Sequence, residues 1–560
     1  MGSQLIWEVL QREGVEVVFG YPGGAIMPTY DALNLYGVRH VLVRHEQGAA
    51  HMADGYARAS GKVGVCIATS GPGATNLVTG IATALLDSTP LVCITGQVAS
   101  SLIGTDAFQE IDITGITLPV TKHNYVAKRV EDIVPMLREA FFVARSGRPG
   151  PVLVDITKDA QQASLDFEWP ENELRPRGFR AHRPVAPELL AKAAALIATA
   201  ERPILFAGHG VTKAGASRQL RELAEEIDAP VASTLLGLGA FPASHPLSLG
   251  MMGMHGEAWV NTSIQQADLI IAMGMRFDDR VTGKLETYAR GAKKIHLEHD
   301  PYEINKLVAV DVPLLGDLSE TLDELLPLVR PKRHRAWREH IQRLKTEAAD
   351  RDIQVMPAGD RLYAAHVIHD LCRLTEGKAI IVTDVGQHQM WEAQYYKHES
   401  PGQLITSGGL GTMGFALPAA LGVRYARPND EIWVVVGDGG FQMTACELTT
   451  CAQEGVKLNI AIINNGHLGL VRQWQEFFYD SRFTATPLKS PDFVKLADAH
   501  GLFATRVTQR REVDEAVARA RATPGTAVIE FRVEQHDSVF PMVATNADLA
   551  DMIRRPRPRS

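Results

Sequence analysis

The sequence predicts an α/β protein of three domains, each a doubly wound parallel sheet. Three observations carry that expectation. Short, unbroken apolar runs ending in Gly, Ser, Thr or Asp recur along the chain, and segments with helical spacing separate them. This is the pattern of parallel strands covered by helices on both faces. The chain has 560 residues, whereas single cores stop growing at about 250–300 residues.

The elements follow in order. The first domain, residues 1–165, carries apolar runs at 15–20, 40–45, 63–71, 90–96 and 151–157, with helical spacing between them as at 49–59. A stretch rich in Pro, Glu and Arg then interrupts the pattern, giving a linker at about 166–183. The second domain, 184–330, has runs at 203–210, 230–234, 267–274 and 293–300. A charged segment without a strand signal, 331–359, reads as a second linker. The third domain, 360–545, has runs at 379–386, 403–409, 431–440, 458–465 and 526–533. No short-period repeat or low-complexity tract is present.

Composition narrows the function. Hydrophobic residues make up 45% and charged residues 22%, as in ordinary globular chains. A net charge of −8 and a pI near 6.2 argue against a nucleic-acid binder, which needs clustered Lys and Arg. The one basic cluster, Arg554 to Arg559, reads as a frayed, solvated end. Five cysteines without a CxxC pair argue against a disulfide framework or a zinc site and fit a reducing cytoplasm. No run reaches the length of a membrane span, and the N-terminus enters a helical pattern at Leu5, Val9 and Leu10, leaving no room for a signal peptide.

The sharpest chemical signal lies in the third domain. The apolar run Ile432 to Val436 leads into Gly437-Asp438-Gly439-Gly440, and a second run ends at Asn464-Asn465. In a parallel βαβ unit both strand ends emerge on one edge of the sheet, where ligands of open α/β sheets bind. Asp438 and Asn465 should therefore converge. A carboxylate and an amide oxygen suit a hard cation such as Mg²⁺, and the glycines would let N–H groups approach a phosphate at a helix start. Each motif alone is also an ordinary turn sequence; the pair at two strand ends favours the site.

In the first domain Glu46 follows a strand and opens a mostly apolar helix, as a functional carboxyl or as a capping or ion-paired residue beside Arg44 and His45. The third domain also holds Gly409-Leu410-Gly411-Thr412-Met413-Gly414, a formal GxGxxG. The acids about 20 positions on, Asp430 and Glu431, precede a strand instead of ending one, so a nicotinamide site is not expected.

Gly-Asp-Gly followed by Asn-Asn resembles the cofactor motif of thiamine diphosphate enzymes. Further segments run in order along residues 5–545: GYPGGAIMPTYDAL (20–33), AFQEIDITG (107–115), GRPGPVLVDITKD (147–159), GMMGMHG (250–256), MRFDDRVTG (275–283), VGQHQMWEAQYY (385–396) and QWQEFFYDSR (473–482). Together they resemble the catalytic subunit family of acetohydroxyacid synthases, also called acetolactate synthases.

The resemblance implies pyrimidine-binding, FAD-binding and diphosphate/Mg²⁺-binding domains in that order. It gives Mg²⁺ to Asp438, Asn465 and the backbone carbonyl of His467. It places thiamine diphosphate against Val385, Gly386, Gln387, His388, Gly437, Gly439 and Gly440, with Met413 bending the cofactor and the Gly411 carbonyl accepting from its pyrimidine amine. Glu46 would protonate the pyrimidine ring, so that the cofactor removes its own C2 proton. Gly24 and Gln109 would lie near the thiazolium. Phe108 would line the substrate pocket, Arg280 bind the carboxylate of the second 2-keto acid, and Trp474 contact its alkyl group. By residue type alone, Phe108, Trp474 and Met413 read as core and Arg280 as the partner of Asp279. A structural, nonredox FAD would touch Arg148, Gly208, His209, Gly210, Thr234, Leu235, Met254, His255, Gly274, Arg276, Asp278, Arg280, Glu298 and Asp317. His209 stands where a third consecutive Gly is expected.

The implied activity joins the hydroxyethyl unit of decarboxylated pyruvate to a second pyruvate or to 2-oxobutyrate, the first common step of branched-chain amino-acid biosynthesis. A homodimer is the smallest implied unit, because the cofactor would sit between the first domain of one chain and the third of another. A tetramer is the expected assembly, with room for a separate small regulatory subunit. RFDDR and QWQEFFY argue against a redox pyruvate oxidase, and Glu46 argues against a glyoxylate carboligase. A flavin- or nicotinamide-dependent oxidoreductase and a noncatalytic flavin scaffold are the rivals outside the family.

Overall fold

The structure, a computed structural model, describes residues 1–170, 184–356 and 361–557, with Leu174, Pro176 and Phe179 between the first two spans. Parts of both expected linkers (171–173, 175, 177, 178, 180–183 and 357–359) and Arg559 of the basic tail lie outside the described residues.

Three six-stranded sheets, every strand pair in them parallel, succeed one another along the chain. The first holds β1 (Val17–Gly20), β2 (Arg39–Leu42), β3 (Gly64–Ala68), β4 (Leu91–Gln97), β5 (His123–Ala127) and β6 (Pro151–Thr157), in the order β2-β1-β3-β4-β6-β5. The second holds β7 (Pro203–Ala207), β8 (Val231–Ser233), β9 (Ser248–Met251), β10 (Leu269–Met273), β11 (Lys293–Glu298) and β12 (Val312–Leu315), in the order β12-β11-β10-β7-β8-β9. The third holds β13 (Ile380–Thr383), β14 (Leu404–Thr406), β15 (Ile432–Gly437), β16 (Asn459–Asn464), β17 (Phe503–Val507) and β18 (Ala527–Arg532), in the order β14-β13-β15-β16-β18-β17.

Counted within each sheet, the first and third share the order 2-1-3-4-6-5, whereas the second runs 3-2-1-4-5-6. Each reverses direction beside its first strand, between β1 and β3, between β7 and β10, and between β13 and β15. Such switch points open a crevice at the carboxyl ends of the strands.

The central strands match the apolar runs. The sequence reading missed β5, β9, β12 and β17, and all four lie at sheet edges. An edge strand has one neighbour and a more exposed surface, so it does not need an unbroken apolar run. His123–Ala127 and Phe503–Val507 are only partly buried along most of their length. The segment 331–359 contains a helix, Arg335–Ala349, that buries Trp337 and Ile341 against the second domain. Its charged face hid that amphipathic pattern. The basic tail is likewise more ordered than its composition suggested: Arg555 pairs with Asp537 at 2.7 Å and lies over the Phe540 ring.

The first and third domains share one apolar core, and missing side chains make that possible. The helices Glu46–Ser60 and Ala416–Ala426 cross at Gly55 and Gly422. A Cβ at Gly55 would lie 2.1 Å from the Ala419 carbonyl oxygen, and one at Gly422 would lie 1.8 Å from that of Met52. The second domain joins through polar contacts: Arg148 reaches Asp300 and Glu303 at 3.2 and 3.0 Å. A C-terminal segment also crosses to it, with Val543 N–H donating to the Met254 carbonyl. Among the described residues no helix is long and apolar enough to cross a membrane.

Gly422→Ala must push these helices apart and should cost about 1–3 kcal/mol, as overpacking does. Gly525→Ala, with open space where its Cβ would lie, should cost little. Scanning calorimetry should show a lowered transition for the first variant and an unshifted one for the second.

Candidate active site

The strands of the third sheet end together and deliver most of the expected residues to one cleft. In the parallel pair β15–β16, Gly437 lies opposite Ile463, so Asp438 and Asn465 leave the sheet side by side. The cleft, with about 60 Å³ accessible to water, is lined by Val385, Gly386, Gln387, His388, Met413, Gly437, Asp438, Gly439, Gly440, Asn465 and His467, among others.

Asp438 is 1% exposed. Burial pushes its carboxyl up to about 6, against the pull of the Ser490 hydroxyl, which donates to it at 2.9 Å. A carboxylate that has lost its water is a place for a cation. The Asn465 side-chain nitrogen donates to the Gln387 side-chain oxygen at 3.1 Å, and its Oδ1 accepts from His467 N–H at 3.1 Å. Gln387 is itself held by Gln473 and the Asp537 carbonyl, so the amide is fixed from behind. One carboxylate, one amide oxygen and a backbone carbonyl form a hard oxygen set that fits Mg²⁺. Gly439 and Gly440 lie in the first turn of the helix Asp438–Thr444, a position that suits an anion.

His388 has another task in this structure. Its ring accepts from Gly437 N–H at 3.3 Å and reaches the Asp384 backbone. Burial pushes it down to about 3, so it is neutral and ties two cleft loops together. The segment with Gly411 and Met413 is pinned on one side by Asp384, whose carboxylate accepts from Gly414 and Ala416 N–H at 3.0 Å. Gly411 and Gly414 have φ of +74° and +88°, values at which any residue with a Cβ is strained. The Met413 methyl points towards Gly439.

The first sheet gathers its candidates in the same way. Gly24 follows β1, Glu46 follows β2 and Gln109 lies in the segment after β4. His45 caps the Glu46 helix by accepting from Gln47 N–H, and the Glu46 carboxylate accepts from the Asn76 amide at 2.9 Å. A Cβ at Gly73 would lie 3.4 Å from that carboxylate. Gln109 packs on Gly71 with a φ of +60°, a strained conformation of the kind found at ligand sites. From the third domain, Glu447 caps this loop by accepting from Arg44 and His45 N–H at 3.0 and 3.2 Å. Among the described residues, every one that lines the third-domain cleft lies between 385 and 471; within one chain the Glu46 cluster adds nothing to its wall.

The three substrate candidates stand apart, one in each domain. Phe108 is 88% exposed, contrary to a core reading. Arg280 lies 3.6 Å from Asp279 on the surface and donates to the Met254 sulfur. Trp474 is half-buried against Phe478. No hydrogen bond or ring contact joins these three among the described residues.

The second sheet carries its candidates on its carboxyl edge: Gly208, His209 and Gly210 after β7, Thr234 and Leu235 after β8, and Met254 and His255 after β9. Gly274, Arg276, Asp278 and Arg280 follow β10, Glu298 ends β11 and Asp317 follows β12. Gly208, Gly210 and Gly274 interlock at the switch point, where a Cβ at Gly208 would lie 2.2 Å from the Gly274 carbonyl oxygen. Burial pushes Glu298 up to about 7 and His255 down to about 4. Asp278 bonds to Arg276, and Asp317 caps the next helix. Arg148 is committed to Ser88, Asp300 and Glu303. The order 3-2-1-4-5-6 is that of dinucleotide-binding sheets, an independent reason to expect a dinucleotide here and one that apolar runs could not supply.

Asp384, Ser490, Asn76 and Glu447 escaped the sequence reading. Asp384 was within reach, because it ends a strand as Asp438 does. The other three come from distant segments and left no local signal.

Residues 1–116, 190–325 and 384–531 match, respectively, the families described as the thiamine pyrophosphate enzyme N-terminal TPP binding domain, central domain and C-terminal TPP binding domain. The chain is 49% identical to the acetolactate synthase large subunit of Corynebacterium glutamicum, over 98% of this chain and 90% of that one. It is 46% identical to the acetolactate synthase isozyme 2 large subunit of Escherichia coli over 99% of both. The acetolactate synthase of Arthrospira platensis is 45% identical over 99% and 97% of the two chains. With all three domain types matched in order and near-complete coverage, the chain belongs to the acetolactate synthase large-subunit family of thiamine pyrophosphate-dependent enzymes.

Proposed function

We propose that the chain decarboxylates pyruvate and joins the remaining two-carbon unit to a second pyruvate, giving 2-acetolactate, or to 2-oxobutyrate, giving 2-aceto-2-hydroxybutyrate. The reaction would open branched-chain amino-acid biosynthesis, leading to isoleucine and valine, in the cytoplasm. The observation that carries this reading is the cleft at the end of β13, β15 and β16, with its buried carboxylate, fixed amide and glycine-opened helix start.

Thiamine diphosphate, when bound, supplies the electron sink that decarboxylation needs. The protein's part is to hold and orient. Asp438, Asn465 and the His467 carbonyl would hold Mg²⁺; Gly439 and Gly440, with the backbone of Val385, Gly386, Gln387, His388 and Gly437, would surround the diphosphate. Glu46, steadied by Asn76, would carry the proton exchanged with the pyrimidine ring, and the Gly411 carbonyl would accept from its amine. Met413 would support the bend of the cofactor, and Gly24 and Gln109 would lie near the thiazolium. Arg280 would take the carboxylate of the acceptor, while Trp474 and Phe108 would shape the room for its alkyl group.

That the described residues lining the cleft all come from the third domain, with the Glu46 cluster elsewhere, supports a site completed by the first domain of a second chain. A homodimer is then the smallest active unit, with a tetramer and a small regulatory subunit compatible with it. The interlocked glycines and strand order of the second domain support FAD held there, and the family resemblance is what implies a nonredox role for it.

Incubation with pyruvate, thiamine diphosphate, Mg²⁺ and FAD, without oxygen or another acceptor, should yield acetolactate and CO₂. Absence of acetolactate, with the cofactors bound, would overturn the reading. Glu46→Gln should lower turnover by about 10²–10⁴-fold, the range of general acid–base groups. Proton exchange at C2 of the bound cofactor, followed by NMR, should slow with it. Asp438→Ala should weaken Mg²⁺ and thiamine diphosphate together in calorimetric titrations, since one cation would join protein and diphosphate; unchanged affinity would remove Asp438 from the metal site.

A further inference from the structure

We infer that Asp87, with Arg58 behind it, is a positioning residue through which the first domain sets the segment 408–414 of the third. Asp87 follows the helix Val78–Leu86 as its C-terminal cap residue. A carboxylate there faces the negative end of the helix dipole, and its side chain is wholly buried. Both features are unfavourable unless specific partners compensate.

The partners come from two domains. The Asp87 carboxylate accepts from two successive backbone N–H groups of the third domain, Gly408 at 3.2 Å and Gly409 at 2.7 Å. Arg58 donates to it at 2.8 Å, pairs with Asp54 at the end of the same guanidinium, and donates to the Thr406 carbonyl at 2.7 Å. The fit at Gly409 is closed: a Cβ there would lie 2.8 Å from both the Asp87 carboxylate and the Leu86 carbonyl oxygen. Further along, the Thr412 and Thr83 hydroxyls meet at 2.7 Å.

With Asp384 holding Gly414 and Ala416, the segment is fastened at both ends and at Thr412 in between, where the Thr412 N–H also donates to the Ser407 hydroxyl at 3.0 Å. Between these points lie Gly411 and the Met413 side chain, which lines the cleft. Asp87 and Arg58 touch no lining residue of that cleft directly. They act by setting the height of the segment, and an error of about 1 Å in such a support can lower a rate by about 10²-fold. The inference rests on the functional reading above, in which Gly411 and Met413 meet the cofactor.

Asp87→Asn keeps the size but turns an N–H₂ towards Gly408 or Arg58. Gly409→Ala disturbs the same contact without altering a buried charge. The measurements are the Kd for thiamine diphosphate with Mg²⁺ by calorimetry and the C2 proton exchange rate of the bound cofactor by NMR. Both variants should keep the parent's Kd, because the Asp438 end is untouched, and exchange should slow by about 10–10²-fold. If Asp87→Asn does not fold, Gly409→Ala decides on the same two readings. Exchange at the parent's rate overturns the inference, as does a loss of affinity that accounts for the slowing, which is what mere loosening would give. A parent protein that binds no thiamine diphosphate overturns the functional reading instead, and this inference with it.

Discussion

A methyl group and a carbonyl oxygen cannot occupy the same place, and the arrangement of the first and third domains rests on that exclusion. Because Gly55 and Gly422 have no Cβ, two helices approach until each backbone lies where the other's side chain would be. At that separation the two apolar cores merge. It also brings the strand-end loops within reach of carboxylates across the boundary: Asp87 meets the third domain's loop and Glu447 meets the first domain's. Each is a buried acid taking two neighbouring N–H groups.

Carboxylates recur at these edges for one physical reason. A parallel sheet collects loops and helix starts at its carboxyl end, and with them many N–H groups that lack a backbone partner. Asp384 satisfies three such groups and Glu447 two. Asp438, on the same edge, accepts from the Ser490 hydroxyl and from the backbone of its own helix start, and burial holds its carboxyl near 6, as it does that of Asp384. The structural acids are answered from within the protein. What sets Asp438 apart is its place: unlike Asp384 and Glu447 it lines the cleft, beside Asn465, where a cation would be held.

The interior was legible in the sequence because interior strands must be apolar throughout. Central strands such as Ile432–Gly437 and Asn459–Asn464 announced themselves, and the residues that end them were found with them. Four edge strands were not, since His123–Ala127 and its counterparts face partly outward and carry mixed residues. The helix Arg335–Ala349 hid for a related reason, with two buried apolar side chains amid charged ones. At the site, position along a strand revealed Asp438 and Asn465. Contacts closed by distant segments, such as Ser490 on Asp438 and Asn76 on Glu46, leave no trace in local pattern. The strand order of the second domain is likewise a property of pairing, which no single segment encodes.

The meeting of Gly55 and Gly422 also bears on how far this scaffold can be re-engineered. A joint made of backbone against backbone has no rotamers to adjust, so it cannot open a little to admit a bulkier guest. The first and third domains of one chain are therefore held at a fixed separation. Any change in the size of molecule admitted to the cleft at the end of the third sheet must come from loops such as 465–490, whose side chains can be exchanged without moving that joint. Bulkier residues placed at the helix crossing would separate the domains without enlarging that cleft.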